Sequence, residues 1–326
     1  MYNQVPKVSV IVPVYGVEKY IERCARSLFE QTLYDIEYLF IDDCTPDRSI
    51  EILKSVLEEY PNRKSQVIIH RMEQNSGQAA VRRWGMLNAT GDYVIHCDSD
   101  DWVDTDMYRA MYDKALGDGA DIVICDYCQT DGGTQQMNIR SFENGLDKMH
   151  ILKAFFLEKY SWAVWNKLVS RKLYTTNRII FPSRNMGEDM VLTIQFLKFS
   201  KKIAYINRPM YFYFKNEISI TGNCSLENVL VRTMQLKENV DLVLNLYMYE
   251  EEHAIIFKNE LDYLKVHVKC ELCQYSQDNK LLNIWRNVYP ELKFIDVLHL
   301  KGINCKLKII YAITSLGLYP LFKRLF

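Results

Sequence analysis

Along roughly the first 125 residues two hydrophobic periods take turns, and this exchange constrains the fold more than any other feature. Lys7–Val14 is β-branched and almost continuously apolar, and Glu18–Gln31 then carries apolar residues at helical spacing. The exchange recurs as strand Ile36–Ile41, helix Ser49–Tyr60, strand Gln66–His70, a helix opened by Asn75-Ser76-Gly77 and running to Asn88, strand Tyr93–Cys97, helix Asp104–Leu116 and strand Ala120–Cys125. Pro13, Gly16, Pro61-Asn62 and Thr90-Gly91 punctuate it. Strands that alternate with helices specify an α/β fold, a mostly parallel sheet with helices on both faces. Burial on both faces is also why these strands lack a polar alternation.

In an open sheet of this kind ligands sit beyond the carboxyl ends of the strands. Pro13-Val14-Tyr15 lies there after the first strand, Asp42-Asp43 after the second, Asn75–Gly77 after the third and Asp98-Ser99-Asp100-Asp101 after the fourth. Like charges ~4 Å apart cost roughly 4 kcal/mol at an effective dielectric near 20, so three carboxylates in four positions call for a cation. Carboxylate oxygens with no Cys or His partner suit Mg²⁺ or Mn²⁺. His96 and Cys97 precede them but point to alternating faces, back into the sheet. The same acids would also suit a solvated turn capping the helix from Asp104. Acids and an aromatic at the neighbouring strand ends favour a site. With no Gly-x-Gly-x-x-Gly after the first strand and no P-loop, phosphates fall to the metal.

Bulk properties narrow the class further. The 326 residues, 48% apolar, suffice for one large domain with an appendage or for two domains, and a net charge of −1 offers no basic excess for nucleic acid. Met1–Lys7 has no secretory pattern, so a cytoplasmic location is expected. The nine cysteines lie mostly in apolar runs and read as reduced core thiols. The two Cys-x-x-Cys pairs, Cys125/Cys128 and Cys270/Cys273, are too far apart for a zinc ribbon.

Val12-Pro13-Val14-Tyr15-Gly16, Ile41-Asp42-Asp43-Cys44-Thr45-Pro46-Asp47, Asn75-Ser76-Gly77-Gln78-Ala79-Ala80-Val81-Arg82 and Gly91-Asp92-Tyr93 leading into Asp98-Ser99-Asp100-Asp101-Trp102 resemble, in order and spacing, the signatures of the family 2 inverting glycosyltransferases. The resemblance covers about the first 220 residues and implies a GT-A fold, a Rossmann-like sheet, acting on a nucleotide sugar, most simply a UDP-sugar. It implies that Pro13 and Tyr15, with Glu18 close by, meet the nucleobase, that Asp43 bonds uracil, and that Gly77 and Ser99 belong to the nucleotide site. Asp98 would lie near the ribose and diphosphate, with Asp100 the principal ligand of a Mn²⁺ or Mg²⁺ ion, Asp98 a second and Asp101 in support. Arg82 stands where the family has an Arg-Asn pair, but Arg83 follows it, and both substrate contact and an ion pair with a rim carboxylate remain open for it.

Met186-Gly187-Glu188-Asp189 precedes a helical pattern over Met190–Phe199, and acids there suit the helix dipole. The resemblance places a general base in this element, which makes Asp189 the base and Glu188 an orienting or acceptor-binding acid. Trp162–Leu168 resembles the family's Trp-Asn-Lys-Leu segment and puts Trp165 and Lys167 on the acceptor side. Tyr211–Lys215 and Ser219-Ile220-Thr221 resemble the segment that closes over the diphosphate, with Lys215 offsetting its charge. The implied reaction is a single displacement by a hydroxyl of a glycan or lipid-linked acceptor in surface polysaccharide synthesis.

From Ser225 the pattern changes to long helices, Leu226–Leu246, Glu251–Tyr275 and Lys280–Val288, dividing a catalytic domain, 1–222, from a helical region, 223–326, in which His253 and His267 read as packed or surface residues. Lys301–Phe326 holds five basic residues and no acid, and its apolar run Ile309–Phe322 is too short to span a bilayer. That tail either lies at a membrane interface, making the protein peripheral on the inner face, or docks on its own domain. Two rivals to the transferase are a non-catalytic nucleotide-sugar or glycan-binding module of the same fold, which intact Asp98, Asp100 and Asp189 disfavour, and a nucleotidyltransferase, which lacks its Gly-rich loop and Lys after the first strand.

Overall fold

In the computed structural model, which describes residues 5–133, 136–141, 147–215, 225–273 and 279–318, the alternation of periods becomes β1 (Val8–Val14), α1 (Ile21–Phe29), β2 (Ile36–Asp42), α2 (Ser49–Glu58), β3 (Val67–Arg71), α3 (Gln78–Asn88), β4 (Tyr93–His96), β5 (Trp102–Val103), α4 (Met107–Asp118) and β6 (Ile122–Thr130). There follow β7 (Gln136–Ile139), α5 (Lys148–Phe156), β8 (Lys167–Ser170), α6 (Arg171–Thr176), α7 (Glu188–Phe199) and β9 (Ile203–Phe214). The helical region comprises α8 (Leu226–Met248), α9 (Glu251–Ile256), α10 (Lys258–Cys273), α11 (Asn279–Asn287), α12 (Phe294–His299) and α13 (Cys305–Ser315).

The strands form one mixed sheet in the order β3-β2-β1-β4-β8-β6-β9-β5, with β7 on β6. From β3 to β4 all pairings are parallel, as the alternation requires. Beyond β4 the sheet turns mixed: β8 pairs antiparallel with both β4 and β6, β6 with β9 is parallel, and β9 with β5 antiparallel. Local period cannot report that β8, from far downstream, comes between β4 and β6.

Successive residues of β1 serve opposite cores. Val10 and Val12 pack with Tyr38, Phe40, Ile95 and helices α1 and α4, while Ile11 packs with Leu39, Ile41, Val94 and helices α3 and α7. Each fully buried aliphatic contributes about 1.5–3 kcal/mol, so a charge anywhere along β1 would break the fold. The second core continues into α8, α10 and α13, which joins the helical region to the sheet.

The stretch expected as one helix over Glu251–Tyr275 is two, parted at Phe257, whose ring is buried against Phe156 and Tyr247. His267 of α10 hydrogen-bonds Glu158 (2.9 Å) and meets the edge of Trp162. In α13, Tyr311 and Thr314 face inward, Tyr311 against Trp285, so one side of the tail helix docks on its own domain. The proposed boundary at 222/223, Ser219–Thr221 and the tail from residue 319, with Lys323 and Arg324, lie outside the described residues. Among those described, no helix is long and apolar enough to cross a membrane.

Candidate active site

The loop after β1 is braced by the loop after β2. Gly16, Val17 and Glu18 donate their successive N–H groups to Thr45 Oγ1 (2.8 Å), Ser49 Oγ (3.1 Å) and Asp47 Oδ2 (2.9 Å). Pro13 is held within β1, and Tyr15 stands at the rim, 50% exposed. Glu18 is drawn into the brace, since its carboxylate accepts from the Arg48 N–H (3.2 Å) and pairs with the Arg48 guanidinium.

Asp43 is buried, and its two oxygens accept from the N–H of Ser76 (2.7 Å) and of Gly77 (2.8 Å). It ties the end of β2 to the entry of α3, so a uracil donor would have to share oxygens already engaged. Gly77 has φ +82°, and a Cβ there would stand 2.4 Å from Asn185 Nδ2. Asn185 in turn accepts from the Ala79 N–H (3.1 Å), fastening the segment before α7 onto the start of α3. Nothing in the sequence distinguishes Asn185, because its role is a contact between distant segments.

At the end of β4, Asp98 Oδ1 accepts from Arg82 Nη2 (2.6 Å) and Gln78 Nε2 (3.3 Å). Arg82, 3% exposed, gives its other terminal nitrogen to Glu188 at the start of α7, so its guanidinium pairs with two carboxylates at once. Ser99 is buried in the turn. Both oxygens of Asp101, expected in support of the metal, are engaged: Tyr211 Oη (2.6 Å) and the Phe214 N–H (2.7 Å) donate to them, and the residue anchors β9. The Asp100 carboxylate meets its own backbone N–H, and burial together with the charge of Asp98 raises that carboxyl to about 6. Arg23, unremarked in the sequence because it falls on the polar side of α1, donates to the Asp100 carbonyl (2.9 Å) from between the Trp102 and Phe214 rings, its guanidinium 3.7 and 4.7 Å from their centroids.

Two carboxylates, Asp98 and Asp100, therefore form the acidic end of the site. Among the described residues no cluster of three or more His, Cys, Asp or Glu builds an all-protein cage. Two hard oxygen donors with positions left for water and phosphate match the demands of Mg²⁺ or Mn²⁺.

Across Arg82 lies the start of α7. Gly187, at φ +77°, lets α8 approach, since a Cβ would lie 2.7 Å from Leu236 Cδ1. Glu188 is buried with Oε2 unpartnered, and burial raises its carboxyl to about 7 against the opposing pull of Arg82. Asp189 is half-buried, accepts from the Met190 N–H (2.8 Å), and is likewise raised by burial.

Neither expected acceptor residue faces the cleft. Lys167 is 3% exposed, and its ammonium donates to Ser161 O (2.9 Å), Ala163 O (2.5 Å) and Asn166 Oδ1 (2.9 Å), leaving none of its three N–H groups for an acceptor. Trp165 is buried, stacked on Tyr211 at 4.2 Å and met by the Tyr127 ring at 4.8 Å. It backs the tyrosine that holds Asp101. Lys215 is exposed just past β9.

Residues 9–192 match the family described as Glycosyl transferase family 2. A putative glycosyltransferase, EpsH of Bacillus subtilis (strain 168), is 34% identical over 217 residues, 64% of this chain and 61% of that protein, so the match spans less than two thirds of that relative's length. Among solved structures, S. aureus TarS superposes with a TM-score of 0.67 at 18% identity, covering 97% of this chain and 53% of that one. TarS 1-349 in complex with UDP-GlcNAc gives 0.61 at 16% identity over 96% and 88%. The mannosyltransferase PcManGT from Pyrobaculum calidifontis, in complex with GDP-Man and Mn2+, gives 0.57 at 14% identity over 99% and 88%. At these identities the likeness is one of fold.

Proposed function

The chain belongs to glycosyl transferase family 2, and from that premise we propose that it transfers a hexosyl or N-acetylhexosaminyl group from a UDP-sugar to a hydroxyl of a glycan or lipid-linked acceptor in surface polysaccharide synthesis. The observation that carries this reading is the Arg82 guanidinium, which holds Asp98 of the donor side and Glu188 of the base side at once. Carboxylates with separate tasks thus stand within one side chain's reach. The UDP-GlcNAc held by TarS supports the choice of nucleotide.

In this proposal Asp189 takes the proton of the acceptor hydroxyl as its oxygen attacks C1. The bond from C1 to the diphosphate oxygen breaks on the opposite face, so the anomeric centre inverts and the nucleoside diphosphate leaves with the electron pair. A base raised by burial suits proton transfer near neutrality better than an ordinary aspartate. Asp98 and Asp100 would hold a Mn²⁺ or Mg²⁺ ion, a choice that the complex of PcManGT with GDP-Man and Mn2+ supports, and such an ion would supply positive charge to the departing diphosphate. Glu188 acts through Arg82, fixing the guanidinium that orients Asp98. Tyr15 offers its ring to the base.

A screen of UDP-sugars for UDP release, with each metal, tests the assignment. Asp189→Asn is expected to bind donor as the wild type does, by calorimetry, and to lose turnover by about a thousandfold. Turnover within tenfold of wild type would remove Asp189 from the role of base.

A further inference from the structure

Helices α12 and α13 are each two-faced. Val297, Leu300, Ile303, Tyr311 and Thr314 face inward, buried in the helical region. The opposite side is apolar too: Ile295 is 54% exposed, Leu298 40%, Ile309 48% and Leu316 65%. Ile309 and Leu316 are two helical turns apart and share a stripe with exposed Cys305, and Lys308 Nζ, bonded to Leu298 O (2.8 Å), fastens the two helices together. Thus α13 docks on its own domain by one stripe and leaves a second apolar stripe in solvent.

The charge on this face selects its partner. Residues 293–318 contain four lysines, Lys293, Lys301, Lys306 and Lys308, and a single acid, Asp296. Asp296 is spent as a helix cap, accepting from the Lys293 N–H (3.2 Å). Next to the pair a groove of about 610 Å³ opens toward the end of α5, and Lys153, Lys159 and Lys301 line it with no carboxylate partner among the described residues. The acids there are engaged or buried: Asp262 pairs with Lys258 and Lys265, and Glu260 is 5% exposed. A second copy of this chain makes a poor occupant, since two-fold pairing would set lysines on lysines. Exposed aliphatics flanked by lysines match a surface that is anionic outside and apolar within.

We propose that α12 and α13 form a membrane-docking face whose partner is a bilayer containing anionic phospholipid, with Ile295, Leu298, Ile309 and Leu316 entering the headgroup boundary and the lysines meeting phosphate. A lipid-linked acceptor would then be met at the surface that carries it.

Co-sedimentation of the full chain with vesicles of phosphatidylcholine and phosphatidylglycerol, against phosphatidylcholine alone, tests this. Binding is expected to the mixed vesicles only, weakened by salt, and to fall about fivefold per lysine removed, as in Lys293→Gln/Lys301→Gln. Ile295→Asp/Leu316→Asp, with an unchanged melting temperature, is expected to abolish it. Hydrogen exchange on the wild type gives a readout without substitution: mixed vesicles should protect the amides of α12 and α13 above other surface helices. Three results would each overturn the proposal: equal binding to both vesicle types or to neither, retention by the aspartate variant, and dimers in light scattering that Leu316→Asp dissolves. Displacement by inorganic phosphate at an ionic strength where sodium chloride leaves the protein bound would assign the lysines to a soluble anion and overturn it as well.

Discussion

Glu188 offers the sharpest test of how the site is held. Its side chain is 3% exposed, one oxygen meets Arg82, the other has no partner, and the carboxyl is raised from an ordinary 4.5 to about 7. A carboxyl with a folded value above its unfolded one binds more protons in the native state. Its contribution to stability is therefore greatest below pH 4.5 and declines as pH rises toward 7. At ~1.4 kcal/mol per unit, two and a half units correspond to about 3 kcal/mol. Glu188→Gln keeps the shape and a carbonyl oxygen for Arg82 but cannot ionise. The stability difference between variant and wild type should thus shift by about 3 kcal/mol in the variant's favour between pH 4.5 and pH 8. Urea unfolding of both proteins at several pH values measures it. A difference that stays flat, or that moves toward the wild type as pH rises, would refute the reasoning, since it would mean that the Arg82 pairing more than offsets the burial of Glu188. Turnover is expected to fall in the same variant because Arg82 loses one of its two anchors. That would make the buried carboxylate a stability cost kept for function.

Asp100→Asn should leave the melting temperature unchanged or raised, because it removes a carboxylate that burial already disfavours, while Mn²⁺- or Mg²⁺-dependent turnover falls by about three orders of magnitude. Gly77→Ala places a Cβ 2.4 Å from Asn185 Nδ2 at φ +82° and is expected to lower stability by about 2 kcal/mol, read by thermal unfolding, and to weaken donor binding through the displaced Asp43 contacts. Burial acts to discharge His267, but its hydrogen bond to Glu158 prevails and raises the imidazole. The stability it contributes is therefore full below its unfolded value near 6.5 and is lost as pH rises through the folded one. His267→Gln should destabilise by about 1.5 kcal/mol at pH 6, with the gap to wild type closing in melting curves at higher pH.

Much of the molecule was legible in the chain itself, and for a physical reason. Hydrophobic period is set by local backbone geometry, so β1, α1, β2 and the elements up to β6, the two-residue β5 apart, could be read in order, and continuous apolar strands announced burial on both faces. Acids at strand ends, such as Asp43 and Asp98, marked a candidate rim because that geometry delivers them there. What a polar side chain finally touches is another matter, since its partner can be any residue the fold brings within about 3 Å. Arg82 meets Glu188 106 positions away, and Asp101 is claimed by Tyr211 from a distance of 110. Lys167 and Trp165 were turned inward by the loop and strand that surround them, and β8 came to lie between β4 and β6. Local pattern decided the parallel strands β1 to β4, and β6, with the rim at their ends. Only tertiary packing decided which of those acids and bases are spent on one another and which are not.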